Sequence, residues 1–251
     1  MIKKFTYGIV ATGFAALLTT TAANALLIDS FMDGTQAIRI VGPEANPGGA
    51  DPSVTLLDNA GGDAATEAGP HATILGGYRD ITTQLIGSPN SFSATTSLAS
   101  ISDGVFSHSQ DSGVSSHTYV TWDGLEGGGV SADLTDAGAS YRFHLVVLTA
   151  NDGVNWSIEV TDGDSSDLYG FSNVGETTSA TDLYIPFALF SGIDFTDIVS
   201  VRFGANVTNI VDFDTSVGLL ETVGDVPEPA SMSLLGAGIM GLGYFGKRRK
   251  A

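Results

Sequence analysis

The sequence predicts an all-β body, an antiparallel β-sandwich of the jelly-roll kind, flanked by an N-terminal signal helix and a C-terminal transmembrane helix. Two observations predict the body: short stretches of alternating apolar and polar residues, and Asp-Gly or Gly-rich turn sequences between them. A third, the position of the basic residues, separates the ends from the body. Together they divide the 251 residues into segments 1–25, 26–223 and 224–251.

The period-two alternation is clearest in residues 154–160, where Val154, Trp156, Ile158 and Val160 share one face. Residues 141–148 alternate in the same way but are largely apolar on both faces, which indicates a central strand. Further strands are predicted at 36–41, 78–86, 92–98, 116–122, 183–187, 198–203 and 216–221. Hairpin turns are predicted at Asp103-Gly104, Asp123-Gly124, Asn151-Asp152-Gly153 and Asp162-Gly163.

The charges are strongly segregated along the chain. Lys+Arg 10 against Asp+Glu 28 give a net charge of −18. The basic residues between the two ends are Arg39, Arg79, Arg142 and Arg202, whereas all the acidic residues lie between Asp29 and Glu228. Nucleic acid is excluded as a partner, because binding it requires basic residues that neutralise phosphates. With Cys 0, the chain can form no disulfide and has no thiol nucleophile.

The N-terminal segment has the three parts of a secretory signal peptide. Lys3 and Lys4 precede the apolar residues 5–18, and Ala23 and Ala25 supply the small residues of an A-x-A cleavage site. We therefore expect cleavage after Ala25 and export of the body through the general secretion machinery. The alternative is an uncleaved N-terminal anchor.

The C-terminal segment begins with Pro227-Glu228-Pro229 and continues with the uncharged residues 230–246. Such a helix would reach about 25 Å, the lower end of what spans a bilayer. A basic tail follows, made of Lys247, Arg248, Arg249 and Lys250, and positive charge keeps such a tail in the cytoplasm. One interpretation is an ordinary, permanent membrane anchor for a structural protein.

The order of Pro-Glu-Pro, apolar helix and Arg-rich end resembles the PEP-CTERM sorting signal of exopolysaccharide-producing Gram-negative bacteria. The resemblance covers residues 226–251, and the signal peptide at the other end is a second requirement that the chain meets. It implies that an exosortase recognises Pro227, Glu228 and Pro229 and releases the protein from an inner-membrane intermediate. The product would then reach the cell surface or extracellular matrix.

A second resemblance concerns the body. Asp182-Leu183-Tyr184-Ile185-Pro186-Phe187 and the stretch that follows, to Asp214, look like the late strands of galactose-binding-like sandwiches and carbohydrate-binding modules. The resemblance implies a non-catalytic protein that binds polysaccharide or structures an exopolysaccharide matrix. The alternative is a secreted glycan-active hydrolase, since a glycosidase needs only two carboxylates at a suitable separation.

The sequence offers candidates for glycan contact. Sugar C–H faces stack on aromatic rings, so an exposed ring beside a loop is expected. Trp122 ends a predicted strand just before Asp123-Gly124 and is the candidate platform, with Tyr119 expected on its face. Trp156 lies on the apolar side of its strand and is assigned to the core.

Calcium is the candidate metal, because it prefers oxygen ligands and the body has Asp-rich loops. The first candidate site is the turn that contains Asp162, Asp164 and Asp167. By analogy with galactose-binding-like modules, the second joins Asp29 or Asp33 to Asp212 or Asp214. In both places the alternative is a set of solvated acids at turns and strand ends.

Overall fold

The computed structural model describes residues 25–41, 53–56, 70–87, 96–111, 115–151, 154–172, 176–206 and 213–224. The predicted signal helix and transmembrane helix, Ala23, Asp212 and the C-terminal Pro-Glu-Pro segment lie outside these residues. Within the described ranges, no helix is long and apolar enough to cross a bilayer.

Thirteen strands are formed by the described residues, with three short 3-10 turns at Leu75–Gly77, Leu125–Gly127 and Phe187–Leu189. The strands are β1 Leu26–Asp29, β2 Gln36–Val41, β3 Ser53–Leu56, β4 Asp80–Gly87, β5 Thr96–Ser102, β6 Val105–Gln110, β7 Ser115–Trp122, β8 Arg142–Ala150, β9 Asn155–Asp162, β10 Ser166–Ser172, β11 Thr181–Pro186, β12 Ile198–Asn206 and β13 Phe213–Val223.

These strands form two antiparallel sheets. The eight-stranded sheet has the order β11-β8-β13-β6-β5-β2-β3, with β1 also paired to β13, and the five-stranded sheet has the order β10-β9-β12-β7-β4. The first and last strands are neighbours, since Leu26 lies opposite Thr222. The predicted all-β, antiparallel fold is confirmed for the body.

The core lies between the two sheets and is rich in phenylalanine. Phe106 of β6 and Phe203 of β12 meet edge to face across it, with ring centroids 6.0 Å apart. At one end Phe143 packs against Phe187 and Phe190. Each such ring contributes about 1.5 to 3 kcal/mol by leaving water. Trp156 is 2% exposed, as its strand pattern predicted.

One carboxylate is buried in this core. Asp29 Oδ2 accepts hydrogen bonds from Arg79 at 2.7 Å and from Trp122 Nε1 at 2.9 Å, and Oδ1 accepts from the amide of Phe31 at 2.6 Å. Arg79 Nε in turn donates to Gln36 Oε1 at 2.9 Å. Burial raises the pKa of Asp29, and the charge of Arg79 opposes that shift. The cluster ties β1 to β7 and to the segment that precedes β4.

A second polar cluster lies between β5, β6 and β7. His108 Nε2 is 3.2 Å from Ser97 Oγ and 3.1 Å from Ser116 Oγ, and the Ser116 hydroxyl donates to Gln110 Oε1 at 2.9 Å. His108 is fully buried. Burial lowers the pKa of His108 to about 4, with a further contribution from His117. The imidazole is therefore neutral at pH 7.

The predicted turns are correct in two cases and wrong in two. Asp103-Gly104 joins β5 to β6 and Asp162-Gly163 lies in the turn between β9 and β10, each a hairpin within one sheet. The turns at Asp123-Gly124 and Asn151 instead follow β7 and β8 into connections that change sheet. Asp-Gly sequences favour any turn with positive φ, and they do not determine which strand comes next.

Candidate functional site

The outer face of the five-stranded sheet presents a row of small side chains beside an aromatic ring. Across four strands the register places Tyr119 opposite Gly204, Gly204 opposite Ser157, and Ser157 opposite Gly170. Alternation along each strand directs these positions away from the core. The row therefore forms a trough that runs perpendicular to the strands and is bounded at one end by Tyr119.

Several contacts hold the Tyr119 ring against the sheet. A Cβ at Gly204 would lie 3.1 Å from two atoms of the ring and 2.5 Å from Ser157 Oγ, so the ring leans across β12 in space that only glycine leaves. The guanidinium of Arg202 packs 4.7 Å from the ring centroid and also pairs with Glu159. Tyr119 Oη lies 3.3 Å from His117 Nδ1.

A cleft of about 370 Å³ opens over this row, and we call it the face cleft. Its lining contains no Asp, Glu, Lys or Arg; it is formed by His117, Tyr119, Asn155, Trp156, Ser157, Leu168, Gly170, Phe171 and Ser172. Burial lowers the pKa of His117, which favours the neutral form of its ring at pH 7. The lining therefore offers hydroxyl, amide and imidazole groups without net charge.

A smaller cleft of about 230 Å³ lies at the open side of the sandwich, and we call it the edge cleft. Its lining is mainly aromatic and aliphatic: Trp156, Tyr169, Phe171, Ser172, Leu183, Tyr184, Ile185 and Leu189. It includes residues of β10 and β11, which end the five-stranded and eight-stranded sheets. Tyr184 is stacked on His144 at 4.8 Å and lies 4.7 Å from the Arg142 guanidinium.

The structure separates the two aromatic residues that the sequence placed together. Tyr119 lines the face cleft, but Trp122 is 0% exposed and donates its indole N–H to Asp29. The expectation that they share a face is wrong, because an odd offset of three along a strand reverses the side-chain direction. Trp122 is a core residue, and Tyr119 remains the candidate platform.

The acidic turn between β9 and β10 uses its carboxylates to order the backbone. Asp162 Oδ1 accepts hydrogen bonds from the amides of Asp164 and Ser165 at 2.8 and 2.6 Å, and Oδ2 accepts from Asp194 at 2.7 Å. These backbone hydrogen bonds lower the pKa of Asp162. Asp167 Oδ2 accepts from the amide of Ser191 at 2.6 Å. The geometry is that of a capped hairpin turn.

The second proposed calcium site is not assembled by the described residues. Asp29 is committed to Arg79 in the core, and Asp33 Oδ2 accepts a hydrogen bond from Thr73 Oγ1 at 2.6 Å. Asp29 pairs with Leu220, six residues along β13 from Asp214, which corresponds to about 20 Å. Among the described residues, no group of three or more His, Cys, Asp or Glu side chains could hold a metal ion.

Comparison with known proteins identifies the C-terminal segment. Residues 225–250 match the PEP-CTERM protein-sorting motif. The chain therefore carries a sorting signal that marks an exported protein and is recognised by an exosortase at the membrane. The match covers about a tenth of the chain and leaves the body unassigned.

The body is similar in fold to carbohydrate-binding modules. It aligns with the family 11 module of the cellulosomal cellulase Lic26A-Cel5E of Clostridium thermocellum, over 83% of this chain and 99% of that one, with 11% identity and a TM-score of 0.39. A Clostridium thermocellum family 11 module in complex with a β-1,3-1,4-mixed-linked tetrasaccharide aligns over 83% and 100%, with 10% identity and a TM-score of 0.39.

TmCBM61, in complex with β-1,4-galactotriose, aligns over 59% of this chain and 88% of that one, with 10% identity and a TM-score of 0.34. These similarities concern the fold and assign no ligand to this chain. No curated protein gives a significant match.

Sequence reasoning missed most of what forms the two clefts. It did not predict β10, whose residues line both clefts. The alternation of Tyr169 and Phe171 with Gly170 and Leu168 is a signal that could have indicated this strand. Which strands become neighbours, and hence which side chains share a cleft, has no local signal in the sequence.

Proposed function

We propose that this protein is a non-catalytic component of the cell envelope or extracellular matrix, which binds polysaccharide through the face cleft after export and exosortase processing. The observation that carries the binding role is the partly exposed Tyr119 ring, held against Gly204 at the border of an uncharged cleft. An aromatic surface with neutral hydrogen-bonding groups at its rim is what a sugar requires.

The chemistry of the lining supports an uncharged, hydroxyl-rich ligand. Tyr119, Ser157, Ser172 and Asn155 can each donate and accept hydrogen bonds, as a sugar hydroxyl does. The one ion pair near the ring, between Arg202 and Glu159, is internally compensated. We also propose that the sandwich is a jelly roll of the galactose-binding-like type, which the pairing of its first and last strands supports.

The proposed order of events has three stages. Residues 1–25 direct export and are removed after Ala25, residues 230–246 hold an inner-membrane intermediate with the basic tail inside, and processing at Pro227-Glu228-Pro229 releases the body. The PEP-CTERM match supports the last stage.

Glycan binding is tested by filling the face cleft. A Cβ at Gly170 meets only Trp156 O, at 4.0 Å, so Gly170→Val should fold normally and obstruct the cleft. We expect each substitution to weaken binding on a glycan array at least about tenfold. Gly170→Val does so by obstructing the cleft, and Tyr119→Ala by removing the aromatic contact. Running the array with and without a chelator tests the contribution of calcium.

Gly163 provides the matched control, because a Cβ there meets nothing within 4 Å and the residue lies outside the face cleft. Gly163→Val should bind like the wild type. Equal binding by Gly170→Val and the wild type would contradict the assignment of the site. Hydrolysis of a polysaccharide that a single Asp or Glu substitution abolishes would favour the hydrolase alternative.

Processing is tested on the mature C-terminus. Mass spectrometry of the matured wild-type protein should find neither Arg248 nor Arg249, whereas Glu228→Ala should retain both and remain in the membrane fraction. Glu176→Ala, an exposed acidic position of the body, is the matched control and should be processed normally. An intact Arg-rich end on the matured wild-type protein would instead indicate a permanent anchor.

A further inference from the structure

The face cleft and the edge cleft share three lining residues, Trp156, Phe171 and Ser172. Phe171 and Ser172 are the last two residues of β10, and Trp156 is the second residue of the adjacent β9. The two clefts therefore meet at one end of the edge strand. One opens on the outer face of the five-stranded sheet, and the other opens between the edge strands of the two sheets.

Trp156 provides a second, independent observation at this junction. Trp156 is only 2% exposed, and its indole N–H has no hydrogen-bond partner among the described residues. A buried donor of this kind is costly to leave unpaired, so native structures rarely contain one. Trp122, by contrast, donates to Asp29 at 2.9 Å. The unpaired donor thus belongs to a residue that lines both clefts.

The edge cleft has the lining of a sugar subsite. None of its residues is charged, and Tyr184 and Leu189 are 50% and 45% exposed. Tyr184 is held by its stacking on His144, so its ring is ordered before a ligand arrives. Tyr169, Tyr184 and Ser172 contribute hydroxyl-bearing side chains to the lining.

The charge of the body selects among possible polysaccharides. Residues 26–223 contain four arginines, no lysine and nearly all the acidic residues, so the surface potential is strongly negative. An anionic chain would be repelled within about 10 Å of such a surface at moderate salt. An uncharged chain would not be repelled, and no charged residue is part of the lining of either cleft.

On this basis, and resting on the proposed glycan-binding function, we infer that the two clefts form one continuous path for an uncharged, linear polysaccharide. The chain lies across the face cleft, passes the end of β10 at Ser172 and continues into the edge cleft, where it contacts Tyr184. From β7 to β10 the path covers three strand spacings, about 14 Å, and the gap between the sheets adds about 10 Å. The path is therefore longer than a single sugar residue, and a ligand that fills it must be an oligosaccharide.

The test uses the exported, processed protein and linear gluco-, galacto- and manno-oligosaccharides, each from the disaccharide to the hexasaccharide. Binding is followed by intrinsic fluorescence, since the chain has Trp 2, of which Trp156 lines both clefts and Trp122 is 0% exposed. We expect affinity in the bound series to rise at least about tenfold from the trisaccharide to the hexasaccharide. The fluorescence change should disappear in Trp156→Phe. Adding about 0.5 M salt should leave the affinity unchanged, because salt screens only interactions between charges and the ligand is uncharged.

Tyr184→Ala should lower affinity for the hexasaccharide about tenfold and leave the trisaccharide unaffected. Tyr141→Ala is the matched control, because Tyr141 is similarly exposed, contacts the same Arg142 and lies outside both clefts. Leu189→Ala against Leu125→Ala gives a second pair of exposed positions, of which only Leu189 lines the edge cleft. Thermal unfolding of all four variants verifies that they fold.

The outcomes separate the two proposals. If short and long oligosaccharides bind equally, and Gly170→Val abolishes binding while Tyr184→Ala does not, the continuous path is wrong and the face-cleft function stands. If no series binds, the glycan-binding function fails as well. Binding of extended peptides from a random library, in place of every oligosaccharide, would indicate strand addition at the free edge of β10 and would also overturn the inference.

Discussion

Replacing Arg79 with leucine should lower the free energy of unfolding of the body by about 3 to 5 kcal/mol. The side chains of Asp29 and Arg79 are both 0% exposed in the native pair. The substitution therefore leaves the carboxylate of Asp29 buried with no opposite charge beside it. It also removes the hydrogen bonds that Arg79 donates to Gln36 Oε1 and to the carbonyl of Asp33. For a body of this size the loss corresponds to about 10 °C in Tm.

Urea unfolding followed by far-ultraviolet circular dichroism measures this change. The matched control is Arg39→Leu, the same substitution at an exposed position of β2, which should change stability by less than about 0.5 kcal/mol. A double variant, Asp29→Leu with Arg79→Leu, should recover much of the loss, because it leaves no unpaired charge. If Arg79→Leu is no less stable than Arg39→Leu, the buried pair does not have the structural role assigned to it.

Acidification should destabilise the body through His108 by about 3 kcal/mol between pH 7 and pH 4. Burial lowers the pKa of His108 from 6.5 to about 4 in the folded protein, whereas the unfolded chain titrates near 6.5. Above pH 6.5 both states hold the ring neutral, and the full contribution to stability is present. As pH falls from 6.5 to about 4 the unfolded state binds the proton first, so the contribution is lost.

His108→Gln provides the comparison, because a glutamine of similar size can still bond to Ser97 and does not titrate. Urea unfolding at pH 7 and pH 4 should show that the wild type loses about 3 kcal/mol more stability than the variant between these conditions. Carboxylates titrate in both proteins and cancel in the difference. The same pH dependence in both proteins would show that His108 does not remain neutral in the folded core.

The fold was predictable where the signal was local. The alternation of Trp156, Ile158 and Val160 indicated β9, and Asp103-Gly104 indicated a hairpin, because both depend on a few adjacent residues. The strands β1, β3, β6 and β10 were not predicted. β1 and β3 have 4 residues each, β6 has mostly polar side chains, and the alternation in β10 is limited to Tyr169 and Phe171. Two of them, β1 and β6, also depend on pairing with β13, which lies far away in the sequence.

The candidate site was less predictable for the same reason. Asp29 looks like a surface acid in the sequence, and its partner Arg79 is 50 residues away. The position of Trp122 before a glycine-rich loop suggested exposure, but its hydrogen bond to Asp29 spans 93 residues. Tyr119 was identified as a candidate, whereas Gly204 and Gly170, which give the face cleft its shape, have no chemical signature that sequence inspection would select.

The position of β13 determines when the body can fold during export. β13 pairs with β1, β6 and β8, so it joins parts of the eight-stranded sheet that precede it in the chain. A chain that crosses the membrane from its N-terminus delivers this strand last. β13 ends at Val223, and the match to the sorting motif begins at residue 225. If export starts from the proposed signal peptide, we expect the sheet to be completed only when the residues next to the sorting signal have crossed the membrane.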